Sequence, residues 1–491
     1  MFDALITAAL QILFDPYALA LCVLATAIGI VLGALPGISS TMALAILLPF
    51  SFAMGKTHAM VFLMGVFYGS VYGGSISAIL LNIPGTPGSM VTQLDGYPMA
   101  RKGRAGEALT FAIVASTIGG VLGLLALVTL APLLAEAALF FQSPEFAAMM
   151  LFGLTMLAYA SPGSTYLGLV GGVIGLILGT VGFDSVSNAS RLDFGVPQLQ
   201  AGINLIPVVV GAFGLAEVMR SLEEREVAAN VIRNIGRLWP GWPPILKTFW
   251  TAVRSSVIGI IVGIIPAAGS AIAVSIAYAQ EKRMFEGRET FGDGNPRGIM
   301  AAEGGNNSCV GGALIPLMTL GIPGDTMTAV LVGALLVHGL RPGPNLFEDH
   351  PDFVGVVYIA LALAILVTLV LAFVGIRFFV KLLSLQRRTL MVGIVLLCVV
   401  GSYSVQNSLF DVTVMIASGI GAYLLSKAGL PPAPILFGLV LGPLLEENVR
   451  RTLVVHGGSW TVFFERPLSL ALILISVLTL AYPLFSQMRR R

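Results

Sequence analysis

Charge is scarce in this chain. Asp, Glu, Lys and Arg together make up 11% of its 491 residues, against about 25% in ordinary soluble domains. A chain so poor in charge cannot coat a large water-facing surface, which argues against a soluble enzyme or scaffold. The formal net charge is +2 and no basic patch gathers anywhere, so nucleic acid is not expected as a partner. Cysteine is equally sparse. Cys22, Cys309 and Cys398 are scattered, which excludes a disulfide framework and a cysteine-based metal cluster. The four histidines (His58, His338, His350, His456) form no His-Glu-x-x-His, and there is no Gly-x-Ser-x-Gly elbow, so neither a zinc protease nor a serine hydrolase is signalled. The first basic residue is Lys56. Without the basic start of a signal peptide, the first apolar segment is expected to remain as a membrane helix.

Apolar sequence, by contrast, is abundant. The chain is 56% hydrophobic with a mean hydropathy of +0.92. Runs long enough to span a bilayer, roughly 20 residues, recur from end to end, as at 17–35, 109–134, 354–379 and 468–485. The expected fold is an all-α polytopic membrane protein with roughly 10–14 membrane segments.

That apolar sequence is broken at matching places. The first half reads Gly33-Ala-Leu-Pro36-Gly37-Ile-Ser39-Ser40-Thr41 and later Asn82-Ile-Pro84-Gly85-Thr86-Pro87-Gly88-Ser89. The second reads Gly263-Ile-Ile-Pro266-Ala-Ala-Gly269-Ser270 and later Gly321-Ile-Pro323-Gly324-Asp325-Thr326. Pro36 and Pro266 are 230 positions apart, as are Glu217 and Glu447, whereas Pro84 and Pro323 are 239 apart. A longer polar stretch at 281–297 absorbs the difference. Broken apolar segments at corresponding places in two halves point to a transporter substrate site.

Basic residues give the two halves opposite orientations, because basic loops stay cytoplasmic. Arg101, Lys102 and Arg104 mark a cytoplasmic loop, while the matching stretch 341–352 carries one basic residue and the acids Glu348, Asp349 and Asp352. Arg377, Lys381, Arg387 and Arg388 mark another, while the matching stretch 136–145 has none. The stretch 282–297 is basic, and its counterpart near Ser51 has only Lys56. These contrasts predict two inverted repeats. Residues 1–220 form the first and 255–451 the second. Between them, 221–254, with Arg225, Arg233, Arg237, Lys247, Arg254, Trp239 and Trp242, is expected to be a cytoplasmic linker with an amphipathic helix at the interface. Residues 452–491 add a membrane helix and a basic tail, Arg489, Arg490 and Arg491, placing the C-terminus inside and the N-terminus in the periplasm.

The breaks supply the candidate ligands. Pro and Gly end a helix, and Ser39, Ser40 or Thr41 can cap the next one; Gly269 and Ser270 repeat the pattern. A helix N-terminus deep in the membrane offers free N–H groups and a positive dipole end, which suits a carboxylate. Pro36, Gly37, Ser39, Ser40, Thr41, Gly269, Ser270, Asn306, Asn307 and Ser308 are therefore the candidate substrate ligands. A plain helix kink at Pro36 or Pro266, and an ordinary polar helix start at 303–308, are the bland alternatives. At Asn82, Gly85, Thr86, Gly324, Asp325 and Thr326 the chain must open, leaving carbonyl groups that with these side chains match the oxygen ligands of a coupling cation. Asp325 is the sharpest of these, although it can equally cap the helix that starts at Thr326. Gly73, Gly74, Gly311 and Gly312 are expected to allow close helix packing. Since basic residues are nearly absent from the apolar spans, an anion must be held by N–H groups, hydroxyls, amides and co-bound cations. Glu446-Glu447 with Arg451 has the spacing of an intramembrane glutamate protease. Glu217 and Arg220 occupy the matching place without that spacing, which favours a repeated ion pair at a helix end.

The segments Gly33-Ala-Leu-Pro-Gly37, Tyr72-Gly-Gly-Ser-Ile-Ser-Ala-Ile-Leu-Leu-Asn-Ile-Pro-Gly-Thr-Pro87, Asp95-Gly-Tyr-Pro98, Glu303-Gly-Gly-Asn-Asn-Ser308 and Ile315-Pro-Leu-Met-Thr-Leu-Gly-Ile-Pro-Gly324 resemble the large membrane subunit of the tripartite tricarboxylate transporters. The resemblance covers almost the whole chain. It implies uptake of di- and tricarboxylates across the bacterial inner membrane, driven by a Na+ or H+ gradient and without any other cofactor. It also implies two partners, a small membrane subunit and a periplasmic solute-binding protein. Similarity to related carboxylate transporters further implies re-entrant hairpins near Pro36 and Pro266 and an elevator-type movement. A carboxylate symporter working without a binding protein is the alternative, with an intramembrane protease behind it. No residue separates citrate from tartrate or phthalate.

Overall fold

The computed structural model describes residues 2–160, 165–184, 189–223, 232, 234–382 and 387–488. Arg225, Arg233 and the 489–491 tail lie outside them, as do the side chains of Arg387 and Arg388. The described chain is almost entirely α-helical; its sheet is a two-residue pairing of Gly182–Phe183 with Ser190–Arg191. Seven helices among the described residues are long and apolar enough to cross a membrane, and shorter apolar ones such as Ser40–Ala53 and Thr326–Val337 lie among them. The fold is that of an all-α polytopic membrane protein.

The two halves repeat one order of elements. In the first, Pro16–Ala34 leads to a break at 35–39, the short helix Ser40–Leu47, the long helix Lys56–Leu81, a break at 82–86 and the long helix Ala105–Ala138. In the second, Trp242–Ile264 leads to a break at 265–268, Gly269–Met284, the long helix Pro296–Leu320, a break at 321–325, Thr326–Val337 and Pro351–Leu382. Local chemistry explains the ends. Asp15 precedes Pro16 and its Oδ1 accepts from the Tyr17 N–H (2.9 Å), while Asn295 precedes Pro296 and accepts from the Arg297 N–H (2.9 Å). An Asx cap followed by Pro is a strong helix start. Lys56–Leu81 and Pro296–Leu320 stop at equivalent residues in the left-handed region, Asn82 (φ 57) and Gly321 (φ 71). Trp242–Ile264 starts inside the stretch read as a linker, so part of that stretch belongs to the first long helix of the second half.

The first break reverses the chain. Asp15 Oδ2 lies 2.7 Å from His58 Nε2, so Pro16–Ala34 and Lys56–Leu81 start at the same end and 16–53 enters and returns as a hairpin. The third break does the same, since Thr251, in the first half of Trp242–Ile264, meets both Glu281 (3.0 Å) near the end of Gly269–Met284 and Arg297 (2.9 Å) at the start of Pro296–Leu320. The two hairpins open toward opposite ends. Met60, near the mouth of the first, packs with Met318, Leu346 and Phe353. At the mouth of the second, Lys102 pairs with Asp293 (2.8 Å) and Lys247 with Glu289 (3.4 Å). Pro296–Leu320 runs between these ends, and its 25 residues rise roughly 37 Å. The repeats are therefore inverted.

Two polar-centred helices form the middle of the molecule. Lys56–Leu81 packs on Pro16–Ala34 and Pro351–Leu382, and Pro296–Leu320 packs on Trp242–Ile264 and Ala105–Ala138. Each central helix thus binds one long helix from its own half and one from the other. Contact is backbone-close: a Cβ on Gly33 would lie 2.1 Å from the Ser70 carbonyl oxygen, and one on Gly311 2.3 Å from that of Gly123. Pro296–Leu320 is missing from the seven apolar spans because Glu303, Asn306, Asn307 and Ser308 lower its hydropathy, yet those residues are all buried.

Candidate functional site

All four breaks converge between the halves, and each pairs with a break of the other repeat. Thr41 Oγ1, on the second residue of Ser40–Leu47, lies 2.7 Å from Thr326 Oγ1 at the start of Thr326–Val337. The equivalent pair joins the third break to the second. A Cβ on Gly88 would lie 2.6 Å from Ser270 Oγ and 2.1 Å from Asn306 Oδ1. The two pairs adjoin, since a Cβ on Gly269 would come within 4.0 Å of Asp325 Cβ.

Within each half, the second break is seated on the helix that ends at the first. A Cβ on Gly85 would sit 2.1 Å from the Gly33 carbonyl oxygen, and one on Gly324 would sit 2.7 Å from that of Gly263. Only glycine permits such approach. The first and third breaks each need a left-handed residue, supplied by Gly37 (φ 84) and by its equivalent Ala267 (φ 64). That conformation costs an L-residue about 1 kcal/mol or more, a strain found chiefly at functional positions.

Each short helix begins with a side-chain cap or a free turn. Ser39 Oγ accepts from the Met42 N–H (3.1 Å). Asp325 Oδ1 accepts from the Thr328 N–H (2.8 Å) and hydroxyl (2.8 Å), while the Thr328 hydroxyl accepts from the Asp325 N–H (2.9 Å). Thr86 and Ser89, the equivalents of Asp325 and Thr328, form the matching box. Gly269–Met284 starts at Ala268 with no side-chain cap, leaving its first N–H groups free of side-chain partners.

Several buried polar atoms here find no partner. They include Ser40 Oγ, Asn307 Oδ1 and both ends of the Asn306 amide, although Asn306 is 1% exposed. Buried amides and hydroxyls are normally paired, so unpaired ones gathered at one place mark where a polar ligand completes the set. Other candidate residues are placed differently. Asn82 is exposed and ends its helix. Ser308 donates to its own Gly305 carbonyl (3.3 Å) and lies against Gly259, packing a helix crossing. Pro36 is half-buried in the turn of the first hairpin.

Sequence reasoning named Glu303 but assigned it no role. Its side chain is fully buried and accepts from the Thr92 hydroxyl, the Ser116 hydroxyl (3.3 Å) and the Asn307 amide (3.3 Å). Asp95, from the Asp-Gly-Tyr-Pro motif, is also fully buried. It accepts from the Tyr278 hydroxyl (2.8 Å) and the N–H groups of Gly292 (2.9 Å), Gly294 (3.0 Å) and Asn295 (2.7 Å). Asp95 thereby clasps the second break of one half to the loop at the mouth of the other hairpin. In that loop, burial works against the Glu289 carboxylate, but hydrogen bonds from Arg297 (3.1 Å) and Asn295 (3.2 Å) outweigh it and hold its pKa below the ordinary value. At the far end of the molecule Glu447 pairs with Arg451 (2.9 Å), and in the first half Glu217 pairs with Arg220 (3.0 Å).

With this geometry in hand, the relatives are decisive. Residues 19–437 match the Tripartite tricarboxylate transporter TctA family. The chain belongs to that family. The TctA-family match spans all four breaks and both central helices. The chain is also similar to the "Uncharacterized 52.8 kDa protein in TAR-I ttuC' 3'region" of Agrobacterium vitis. It is 36% identical to that protein, over 96% of this chain and 94% of the relative. A second similarity, 34% identical over 48% of this chain and 96% of the relative, is to the "Uncharacterized protein in TAR-II ttuC' 3'region" of the same organism. No solved structure matches the chain. Membership of the TctA family makes this chain a membrane component of a transport system.

Proposed function

We propose that this chain is the translocating subunit of a carboxylate uptake system. It moves di- and tricarboxylate anions across the bacterial inner membrane with a Na+ or H+ gradient, receiving them from a periplasmic binding protein and working beside a small membrane subunit. The observation that carries this reading is the meeting of each half's hairpin tip with the other half's second break, at Thr41–Thr326 and at Ser270–Gly88–Asn306. Helix starts facing one another present N–H groups and positive dipole ends, the environment that binds carboxylates without an arginine. Two such pairs side by side suit an anion with a carboxylate at each end. Ser39, Ser40, Thr41, Gly269, Ser270, Asn306 and Asn307 contact it in this reading.

Asp325 stands between the two pairs. A fixed carboxylate there repels the substrate's carboxylates unless a cation joins them, which supports coupling through Asp325, Thr326, Thr86 and the carbonyl groups of Gly85 and Gly324. The hairpin tips exchange access by an elevator-type movement. The basic loops at 101–104 and 282–297 face the cytoplasm, as does the C-terminus, with the N-terminus in the periplasm.

The test is uptake of labelled citrate, tartrate and phthalate into proteoliposomes holding this chain with its small subunit. Binding protein is supplied outside, with imposed Na+ or pH gradients. Uptake that needs both gradient and binding protein is the expected result. Uptake without the binding protein makes the chain a stand-alone symporter, and no carboxylate uptake by folded protein refutes the substrate class.

A further inference from the structure

Glu303 is the one residue of the central polar cluster that the anion-binding reading leaves without work. It sits two turns into Pro296–Leu320, a helix buried from 297 to 319, and is 0% exposed. Among the described residues no Lys, Arg or His pairs with it; only hydroxyls and amides surround it, Thr92, Ser116 and Asn307 with Ser75 and Asn306 beside them. An unpaired acid at this depth is costly and is kept for a purpose.

Its partners come from different parts of the molecule. Glu303 and Asn307 ride on Pro296–Leu320 of the second half, whereas Thr92 rides on the helix Thr92–Met99 directly after the second break, and Ser116 on Ala105–Ala138, both of the first half. Asn307 also donates to Ser116 (2.8 Å), closing a ring of Ser116, Asn307 and Glu303 Oε2, while Thr92 holds Oε1. The remaining titratable groups nearby are accounted for. Tyr68 and Tyr72 of Lys56–Leu81 face Glu303. Tyr68 donates to the Ser116 carbonyl (2.6 Å), and the Tyr72 hydroxyl is buried without a partner. Asp95, one turn beyond Thr92, is bonded to Tyr278 of Gly269–Met284. Arg254 of Trp242–Ile264 is bonded to Glu281 (2.7 Å). No cation is left over in this set to neutralise Glu303.

We propose that Glu303 is the proton-carrying group of the transporter. The idea rests on the cation-coupled carboxylate reading and assigns one coupling ion to one residue. When the second break shifts with its hairpin, Thr92 leaves Oε1, and the carboxylate, short of that donor, takes a proton on Oε2, the oxygen that faces Ser116. The proton comes from the aqueous side to which the site is then open. The new hydroxyl donates to Ser116 Oγ, which turns from donor to acceptor. Return of the break restores Thr92 as donor, breaks the O–H bond and releases the proton to the other side. Substrate bound at Asn306 and Asn307, on the same helix face as Glu303, ties the two events together.

Infrared difference spectroscopy on the purified full chain tests the protonation without any substrate. The acid-minus-neutral spectrum is expected to show a protonated-carboxyl band that disappears in Glu303→Gln and moves in Ser116→Ala. A spectrum that is the same in Glu303→Gln as in the unsubstituted protein overturns the proposal. If Glu303→Gln does not fold, Ser116→Ala and Glu303→Asp decide, because a band that neither one shifts overturns it equally. In proteoliposomes, Glu303→Gln is expected to lose pH-gradient-driven accumulation of citrate, tartrate or phthalate while carboxylate exchange persists. Accumulation that survives overturns the coupling role. If the unsubstituted protein neither exchanges nor accumulates any carboxylate, the proposed function fails, while the infrared result still decides whether Glu303 takes the proton.

Discussion

Replacing Asp95 tests whether the two halves are clasped where the structure places the clasp. Its carboxylate accepts four hydrogen bonds of 2.7–3.0 Å, three of them from backbone N–H groups of the 292–295 loop. A hydrogen bond to a charged group contributes about 1.5–3 kcal/mol net. The four share one acceptor and are not additive, and the loop can turn partly to water once released. Asp95→Ala is therefore expected to cost about 3–5 kcal/mol, the range for breaking a buried charged network. Asp95→Asn keeps an oxygen for the backbone donors but loses the charge, so it should cost roughly half as much. Tyr278→Phe leaves the ring contact with Phe291 (5.7 Å) in place and removes one bond, for about 1 kcal/mol. The assay is reversible unfolding in mixed micelles, read for both single variants and the double. Tyr278→Phe should cost close to nothing once Asp95 is Ala. If Asp95→Ala costs under about 1 kcal/mol, or the two changes simply add, the carboxylate does not hold the halves together and the reasoning fails.

Gly88→Ala should leave folding nearly intact, because the new methyl meets the flexible ends of Asn306 and Ser270. Those ends must turn away, so carboxylate binding should weaken roughly tenfold as about 1–2 kcal/mol of polar contact is lost; unchanged binding removes Asn306 and Ser270 from the site. Thr41→Val and Thr326→Val each break the same 2.7 Å bond, so their double variant should be no less stable in the same unfolding assay than the worse single one. Asp325→Asn keeps a capping side chain and should abolish cation dependence of uptake; uptake with its cation dependence intact removes Asp325 from the ion site. Glu289 titrates below the ordinary glutamate pKa. Its contribution is therefore complete above about pH 5 and fades as pH falls below about 4, toward the folded-state value. The stability gap between the unsubstituted protein and Glu289→Gln should close over that range, and a gap that widens on acidification contradicts the sign.

The broken segments were legible in the sequence because Pro and Gly act locally, and all four breaks lie where Pro36, Pro84, Pro266 and Pro323 put them. The inversion was legible too, in the contrast of basic residues between matching loops of the two halves. The pairing of breaks across the halves was not. Thr41 and Thr326 are separated by 285 positions, and no local rule says which tip meets which. The helix-ending place of Asn82 was not legible either: its backbone serves an end that glycine serves at the equivalent 321. That glycine was the available signal. Glu303 was visible as an acid among amides, but its partners Thr92 and Ser116 come from two other helices and only the fold brings them in. Pro296–Leu320 escapes hydropathy altogether, because the polar groups that depress its score are the ones the molecule wraps most completely.

The duplicated scaffold is symmetric in its turns but not in its acids. Thr86 occupies the place of Asp325, and Met64 occupies the place of Glu303. Both negative groups at the centre therefore belong to one repeat, which gives a two-fold frame a head and a tail. A ligand whose two ends differ meets a neutral wall on one side and an acidic one on the other, and so docks one way round. Exchanging Thr86 and Asp325 puts one acid in each repeat and should erase that preference without altering the frame.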